Sequence, residues 1–320
     1  MAVASSIVRG AAPGKVILFG EHAVVHGRPA IAAALSHGLG ASLSKRATGW
    51  ARLHIPRWGR NGLLIDAGKE SMAPKDAITR SFFRALSLLG VSSAEPIDIT
   101  IDGELPLGVG LGSSAAFTVV LLRVLANYAE QKLSDEDFIT LAHELESIFH
   151  GNPSGLDHSV IIHNACARFM MGSPPTFEPI QLGVALPVVV GWLPRQGTTK
   201  DAVHHVAALN QRQPTLCAQV FACIENIVNE AVTHLQNGEL AALGDLMNIN
   251  HGLLSALGVV SDQNEQMVAL ARRAGALGAK VTGAGFGGAM IALAPGRTEQ
   301  VHQSLKSHGF TALINQVSNH

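Results

Sequence analysis

The sequence predicts an α+β fold of two domains, and three observations carry that expectation. At 320 residues the chain is about twice the length of a common domain of ~150 residues. Hydrophobic residues make up 47% and charged residues 15%, against roughly 25% charged in a typical soluble chain. A large core can therefore be buried, and whole-chain disorder is excluded. Strand and helix patterns follow one another without regular alternation, which favours α+β over a doubly wound sheet. Beyond Gly172 the texture changes, with Ser173, Pro174, Pro175 and Pro179 punctuating the chain. The domains are accordingly expected at residues 1–180 and 181–320.

Residues 16–19 form a short apolar run between Gly14 and Gly20, as a buried strand would, followed by a loop that returns to an apolar segment by residue 32. Residues 76–89 have helical spacing, and residues 97–101 (Ile-Asp-Ile-Thr-Ile) alternate as a half-buried strand does. After Pro106 and a group of glycines, residues 115–130 read as a buried helix. The next helix has Ser134 as N-cap, acids at 135–137 and a core face of Phe138, Leu141, Ala142, Leu145, Ile148 and Phe149, with Gly151 ending it. In the second half, a strand begins near Val188, helices cover residues 215–236, 239–256 and 262–274, and strands lie around 289–294 and 312–317.

Twenty-three Lys+Arg against 24 Asp+Glu leave a net charge of −1 without a basic block, which argues against a sequence-independent grip on nucleic acid. Apolar stretches such as residues 184–194 are far shorter than the ~20 residues of a membrane helix. The three cysteines (Cys166, Cys217, Cys223) lack metal-type spacing and suit a reducing compartment. Residues 1–10 carry no signal-peptide core and residues 318–320 no C-terminal address. A soluble, cytoplasmic protein is expected, with an organelle left open.

Chemistry concentrates in glycine-rich places. Pro106-Leu107-Gly108-Val109-Gly110-Leu111-Gly112-Ser113-Ser114-Ala115-Ala116 stands between a strand and a helix. Its alternate glycines allow close backbone approach, and the helix start offers unpaired N–H groups, a combination that cradles phosphate. Ser113 and Ser114 add hydroxyls as caps or magnesium ligands; a plain glycine turn with a serine N-cap also suits these residues. Neither the P-loop pattern nor a complete dinucleotide fingerprint is present. Lys15, Glu21 and His22 flank the apolar strand 16–19, each of them also explicable as a structural residue. Residues 280–289 (Lys-Val-Thr-Gly-Ala-Gly-Phe-Gly-Gly-Ala) can close a backbone-rich loop on a ligand or simply connect two strands. Glu146 and Asp157 bracket a Pro-Ser-Gly turn. Beside a phosphate loop, one carboxylate can hold Mg²⁺ and the other can take a proton, with a solvated helix face and an Asx-turn as the plain alternatives.

Taken together, residues 13–27, 106–116, 146–157 and 280–289 resemble the GHMP small-molecule kinases, most closely the branch whose acceptor is mevalonate. The resemblance spans residues 13–292. It implies an N-terminal domain like ribosomal protein S5 domain 2 and a ferredoxin-like C-terminal domain. It also implies ATP-dependent phosphorylation of the C5 hydroxyl of mevalonate, in isoprenoid and sterol precursor biosynthesis, with Mg²⁺ as cofactor. Asp157 would be the base, and Lys15 would lie close by, keeping it ionised and stabilising the transferring phosphoryl group. Ser114 and Glu146 would hold the metal. Gly108, Gly110, Leu111, Gly112, Ser113, Ser114, Ala115 and Ala116, with Gly283 and Gly285, would bind ATP.

On the acceptor side the resemblance places Glu21, His22 and Thr199. Arg168, eleven residues after Asp157, is the candidate for the substrate carboxylate, with a surface arginine on a strand as the plain alternative. Phe286 stands where the commoner pattern has glycine, which leaves open how that loop closes. The implied partners are mevalonate and ATP, without nucleic acid or membrane, and a homodimer is left open. The competing readings are a GHMP kinase for another alcohol, such as phosphomevalonate or a sugar, and a nucleotide sensor without catalysis. Retention of Lys15, Ser114, Glu146 and Asp157 together speaks against the sensor.

Overall fold

The computed structural model describes residues 7–59, 61–69, 76–106, 108–151, 153–172 and 175–319. Leu107 and Asn152 of the motifs, Ser173 and Pro174 of the punctuated stretch, residues 1–6 and residue 320 lie outside them.

The chain opens with two long strands, β1 (Val8–Phe19) and β2 (Ala30–Lys45), joined through a single 3-10 turn at Ala23–His26. Strands β3 (Arg52–Ile55) and β4 (Leu63–Asp66), helix α1 (Ala77–Leu88) and strand β5 (Ile97–Gly103) follow. Helices α2 (Ser113–Tyr128), α3 (Asp135–His150) and α4 (Leu156–His163) come next. The remainder runs β6 (Cys166–Met170), β7 (Thr176–Pro179), β8 (Leu186–Leu193), α5 (Thr199–Arg212), α6 (Pro214–Asn237), α7 (Leu240–Ala256), α8 (Asp262–Arg273), β9 (Gly278–Val281), β10 (Gly288–Leu293), α9 (Thr298–Ser307) and β11 (Thr311–Val317).

Local chemistry sets many of these boundaries. Asp76 caps α1 by accepting from the Thr79 amide at 2.8 Å. Reciprocal capping boxes start α3 (Ser134 with Asp137), α5 (Thr198 with Asp201) and α8 (Ser261 with Asn264). Pro214 opens α6, where its missing N–H has no helical partner to lose, and Gly238 ends that helix in the left-handed conformation.

Three expectations are corrected. The strand expected at 16–19 starts at Val8, so Lys15 sits inside it rather than at its head. The apolar segment to which the loop returns is β2 from Ala30, where six consecutive residues, Ala30 to Leu35, are buried on both faces and show no alternation. Helix α2 begins two residues earlier than expected, at Ser113. Helices α4 and α5 were not foreseen; α4 is buried nearly all round, so its sequence lacks a helical stripe.

Contacts divide the chain into two compact units. The first takes the chain up to Gly14, residues 37–107 and residues 112–163; the second takes 15–36, 108–111 and 164–320. In the first unit the later half of β2 pairs antiparallel with β5, from Leu39 opposite Gly103 to Lys45 opposite Ile97. Strand β3 lies parallel to β5 and antiparallel to β4. Helix α2 forms the core of this unit, with Phe117, Val119, Val120, Leu121 and Leu122 fully buried.

In the second unit Ala30–Ala33 of β2 pair antiparallel with β6, which pairs with β7. A separate antiparallel sheet has the order β11-β8-β10-β9, the ferredoxin-like pattern, and packs under α8 and α9 through Met267, Val268, Ala271, Val301 and Leu305. No described helix is long and apolar enough to cross a membrane.

Within the second unit β1 is fastened by a side chain acting as a strand partner. Thr282 Oγ1 accepts from the Ile17 amide at 2.9 Å and donates to the Ile17 carbonyl at 2.9 Å. Thr282→Val keeps the shape and removes the partner of both part-buried Ile17 backbone groups. We expect it to lower stability by about 2–4 kcal/mol in urea titrations, with Thr282→Ser recovering most of the loss.

Candidate active site

In the first unit the site is built at the mouth of α2. Gly112 precedes the helix with φ 71°, and no side chain caps the first turn. Gly112 has no side chain to cap the helix, and the positive end of the helix dipole lies at this turn. Ser113 is buried at this opening, and Ala115 and Ala116 are fully buried behind it. The Ser114 hydroxyl donates to Glu146 Oε2 at 3.1 Å, and the Thr118 hydroxyl donates to Glu146 Oε1 at 3.0 Å. Glu146 is only 2% exposed, so it is not part of a solvated helix face; two hydroxyls compensate its burial. His150, one turn on, brings Nε2 within 3.0 Å of Ser114 Oγ. Asp157 lies in the first turn of α4 and is partly exposed. Its neighbour His158 is buried edge-on to His143, and burial pushes its imidazole down to about 4.

In the second unit Lys15 is buried on β1, and its amide donates to the Leu111 carbonyl at 3.0 Å, fixing the glycine loop 108–111 to the strand. Gly108 and Gly110 both take positive φ. A Cβ on Gly110 would come within 2.8 Å of the Arg195 guanidinium, which also lies beside Gly283. Arg195 Nη1 donates to Thr199 Oγ1 at 2.8 Å, so one arginine links the phosphate-loop segment, the third glycine motif and the predicted Thr199. Arg168 projects from β6 to Glu178 on β7, Nη1 to Oε2 3.1 Å.

Glu21 and His22 occupy the turn after β1. Glu21, 1% exposed, has its carboxylate held by Lys280 Nζ on one oxygen and by Asn250 Nδ2 at 3.1 Å on the other. Lys280 is fully buried; burial pulls its ammonium below the usual lysine range, and the charge of Glu21 opposes that pull. Next to this pair, His22 adopts φ 61°, unusual for a residue with a side chain. Burial pushes its imidazole down to about 4, so it is neutral near pH 7. Its Nε2 lies 3.0 Å from the Ala284 carbonyl, which can only accept, so the hydrogen is on Nε2. Nδ1 is left as a buried acceptor without a partner among the described residues.

Sequence reasoning missed Arg195, Asn250, His150 and the role of Lys280. A lysine inside the apolar run Gly278–Val281 was the available signal, because a buried ammonium needs a carboxylate. Arg195 had no motif around it, and His150 stood in a quoted segment without a stated task. The first unit thus gathers a hydroxyl, a buried carboxylate and a helix N-terminus, a set that suits a metal–phosphate ligand. The second gathers buried cations with a neutral imidazole acceptor, a set that suits anionic and hydroxyl groups.

The sequence profile of the GHMP kinases N terminal domain matches residues 77–165, and that of the GHMP kinases C terminal domain matches residues 230–310. Mevalonate kinase of Pyrococcus horikoshii is 36% identical over 324 residues, covering 97% of this chain and 96% of that protein. Mevalonate kinase of Methanothermobacter thermautotrophicus is 35% identical over 294 residues, covering 92% of each. The crystal structure of L. major mevalonate kinase in complex with R-mevalonate superposes with a TM-score of 0.86 at 29% identity, covering 99% of this chain and 98% of that one.

Two outcomes follow from the buried charges. Lys280→Met leaves Glu21 buried without its cation and should cost about 3–5 kcal/mol, whereas the double variant Glu21→Gln with Lys280→Met should recover most of that in denaturant melts. A double-variant loss equal to the sum of the two single-variant losses would show that the two charges are not coupled. The low folded-state values of His22 and His158 mean that the unfolded chain binds more protons between pH 6.5 and about 4. Stability should therefore be full above pH 6.5 and fall as the pH drops towards 4, by up to about 3 kcal/mol per histidine. His158→Gln should flatten part of that slope, read from unfolding free energies at pH 7 and pH 5.

Proposed function

Because the chain belongs to the mevalonate kinase family of the GHMP kinases, we propose that it transfers the γ-phosphoryl group of ATP to the C5 hydroxyl of (R)-mevalonate, giving 5-phosphomevalonate and ADP. The L. major relative solved with R-mevalonate supports the choice of acceptor. The observation that carries the chemistry is the opening of α2, where a helix N-terminus preceded by Gly112 lies beside the Ser114–Glu146–Thr118 cluster. We place the N-terminal family domain at residues 1–180 and the C-terminal one at 181–320.

The cluster fits Mg²⁺. A serine hydroxyl and a buried carboxylate are hard oxygen donors, and Mg²⁺ takes one or two carboxylates and completes its shell with water and substrate phosphates. Such a site needs no dense protein cage, and no group of three or more His, Cys, Asp or Glu suited to a metal occurs among the described residues. When bound, Mg²⁺ would neutralise charge on the phosphates.

The chain's own residues do the rest. Loop residues 108–116 hold the triphosphate on backbone N–H groups, with Gly283 and Gly285 closing the nucleotide side. Asp157 accepts the proton of the attacking hydroxyl, and Lys15 balances the charge of the transferring group. His22, fixed as the Nε2–H tautomer, offers Nδ1 to a substrate hydroxyl. Glu21 acts through the turn it anchors with Lys280 and Asn250. Arg195 and Thr199 serve the reacting end, and Arg168 serves the substrate carboxylate. Phosphoryl transfer gains most from such positioning and charge neutralisation.

ATP turnover by the purified chain should be measured with mevalonate, phosphomevalonate, galactose and homoserine; activity on mevalonate is expected, and activity only on another alcohol would overturn the reading. Asp157→Asn should lower kcat by about 10²–10⁴-fold with little change in ATP affinity, as loss of a general base does. Lys15→Met should also lose most turnover. Near-normal kcat in either variant removes that residue from the mechanism.

A further inference from the structure

The Ser114 hydroxyl carries one proton, and two groups within reach can take it: Glu146 Oε2 at 3.1 Å and His150 Nε2 at 3.0 Å. His150 has no part in the reaction described above. It ends α3 one turn after Glu146, about half exposed, with Nε2 3.6 Å from Glu146 Oε2. Glu146 is closed in, its second oxygen already holding the Thr118 hydroxyl.

A hydroxyl that gives a lone pair to a cation must direct its proton away from that cation, and it binds better when a neighbour accepts the proton. A carboxylate oxygen that faces the same cation is poorly placed to be that neighbour. The imidazole remains. We propose that His150 is the positioning residue of the Ser114–Glu146 pair: its Nε2 accepts the Ser114 proton, which aims the hydroxyl oxygen at the metal and leaves the Glu146 carboxylate for it. This rests on the reading that Ser114 and Glu146 hold Mg²⁺. It requires no change of charge at His150, only that the ring hydrogen sits on Nδ1 rather than Nε2 when the metal–nucleotide is bound.

The test is calorimetric titration of the full chain with a non-hydrolysable ATP analogue, with and without Mg²⁺. His150→Leu removes the acceptor; His150→Gln keeps a carbonyl oxygen near the place of Nε2. The leucine variant should lose about tenfold of the Mg²⁺-dependent gain in nucleotide affinity, the size expected for an outer partner of a metal ligand. Its metal-free nucleotide affinity and Tm should match those of the unaltered chain. The glutamine variant should stay within about threefold of the unaltered chain. A leucine variant with the full Mg²⁺ gain overturns the proposal, and so does a glutamine variant that falls as far as leucine. If the unaltered chain itself gains nothing from Mg²⁺, the Ser114–Glu146 metal reading fails, and this inference fails with it. A normal gain that His150→Leu leaves intact sinks His150 alone.

Discussion

Helix α2 is buried on almost every side, and the residue at its N-cap brings no capping side chain. Twelve of its sixteen residues are buried, so its dipole lies in a low-dielectric surround where water screens it little. The residue before the helix is Gly112, which has no side chain to cap with, although serines follow immediately. Ser114 and Thr118 direct their hydroxyls to Glu146 instead. An opening of this kind is costly empty and favourable when an anion fills it, which is why the functional reading rests on this helix end more than on any single catalytic side chain.

The same logic governs the charges inside the fold. Glu146 and Glu21 are both almost fully buried, and each has donors on both oxygens: two hydroxyls for Glu146, an ammonium and an amide for Glu21. Apolar replacements could fill these spaces at little loss of stability. What the polar versions supply is position. Lys280 and Asn250 reach Glu21 from β9 and α7, so the turn that carries His22 is held from two elements at once. That hold fixes the turn in which His22 keeps a positive φ, while the Ala284 carbonyl sets its tautomer.

Much of this was legible in the sequence, and the gaps have physical causes. The helices α1, α3, α6, α7 and α8 declared themselves by one apolar stripe, by caps, or by both. Strand β5 showed clean alternation because only one of its faces is buried. Strand β2 opens with six buried residues in a row, and α4 is buried nearly all round, so neither leaves a periodic trace. Ser114, Glu146, Lys15, Glu21 and His22 stood in motifs that the sequence displays. Asn250 matters through Glu21, 229 residues away, and Arg195 through its place beside Gly110 and Gly283 as well as its bond to nearby Thr199; no local pattern records the distant contacts.

Phe286 shows how far a motif can depart from its commoner form while the backbone keeps its path. Gly285, Phe286, Gly287 and Gly288 all take positive φ, a run that ordinarily asks for four glycines. Three of the four positions could not hold a side chain in any case. A Cβ on Gly285 would strike the Val259 carbonyl, one on Gly287 would lie 3.0 Å from the Pro194 carbonyl, and one on Gly288 would lie 2.8 Å from the Val109 carbonyl. Position 286 is the exception. There the ring packs edge-on against His205 and joins the apolar cluster of Val206, Phe221, Leu254 and Val259. Its amide still donates to the Val259 carbonyl at 2.8 Å, and its carbonyl accepts from the Gln196 amide at 2.9 Å. The strain of a left-handed phenylalanine, about 1 kcal/mol or somewhat more, is offset by packing an aromatic ring against this cluster.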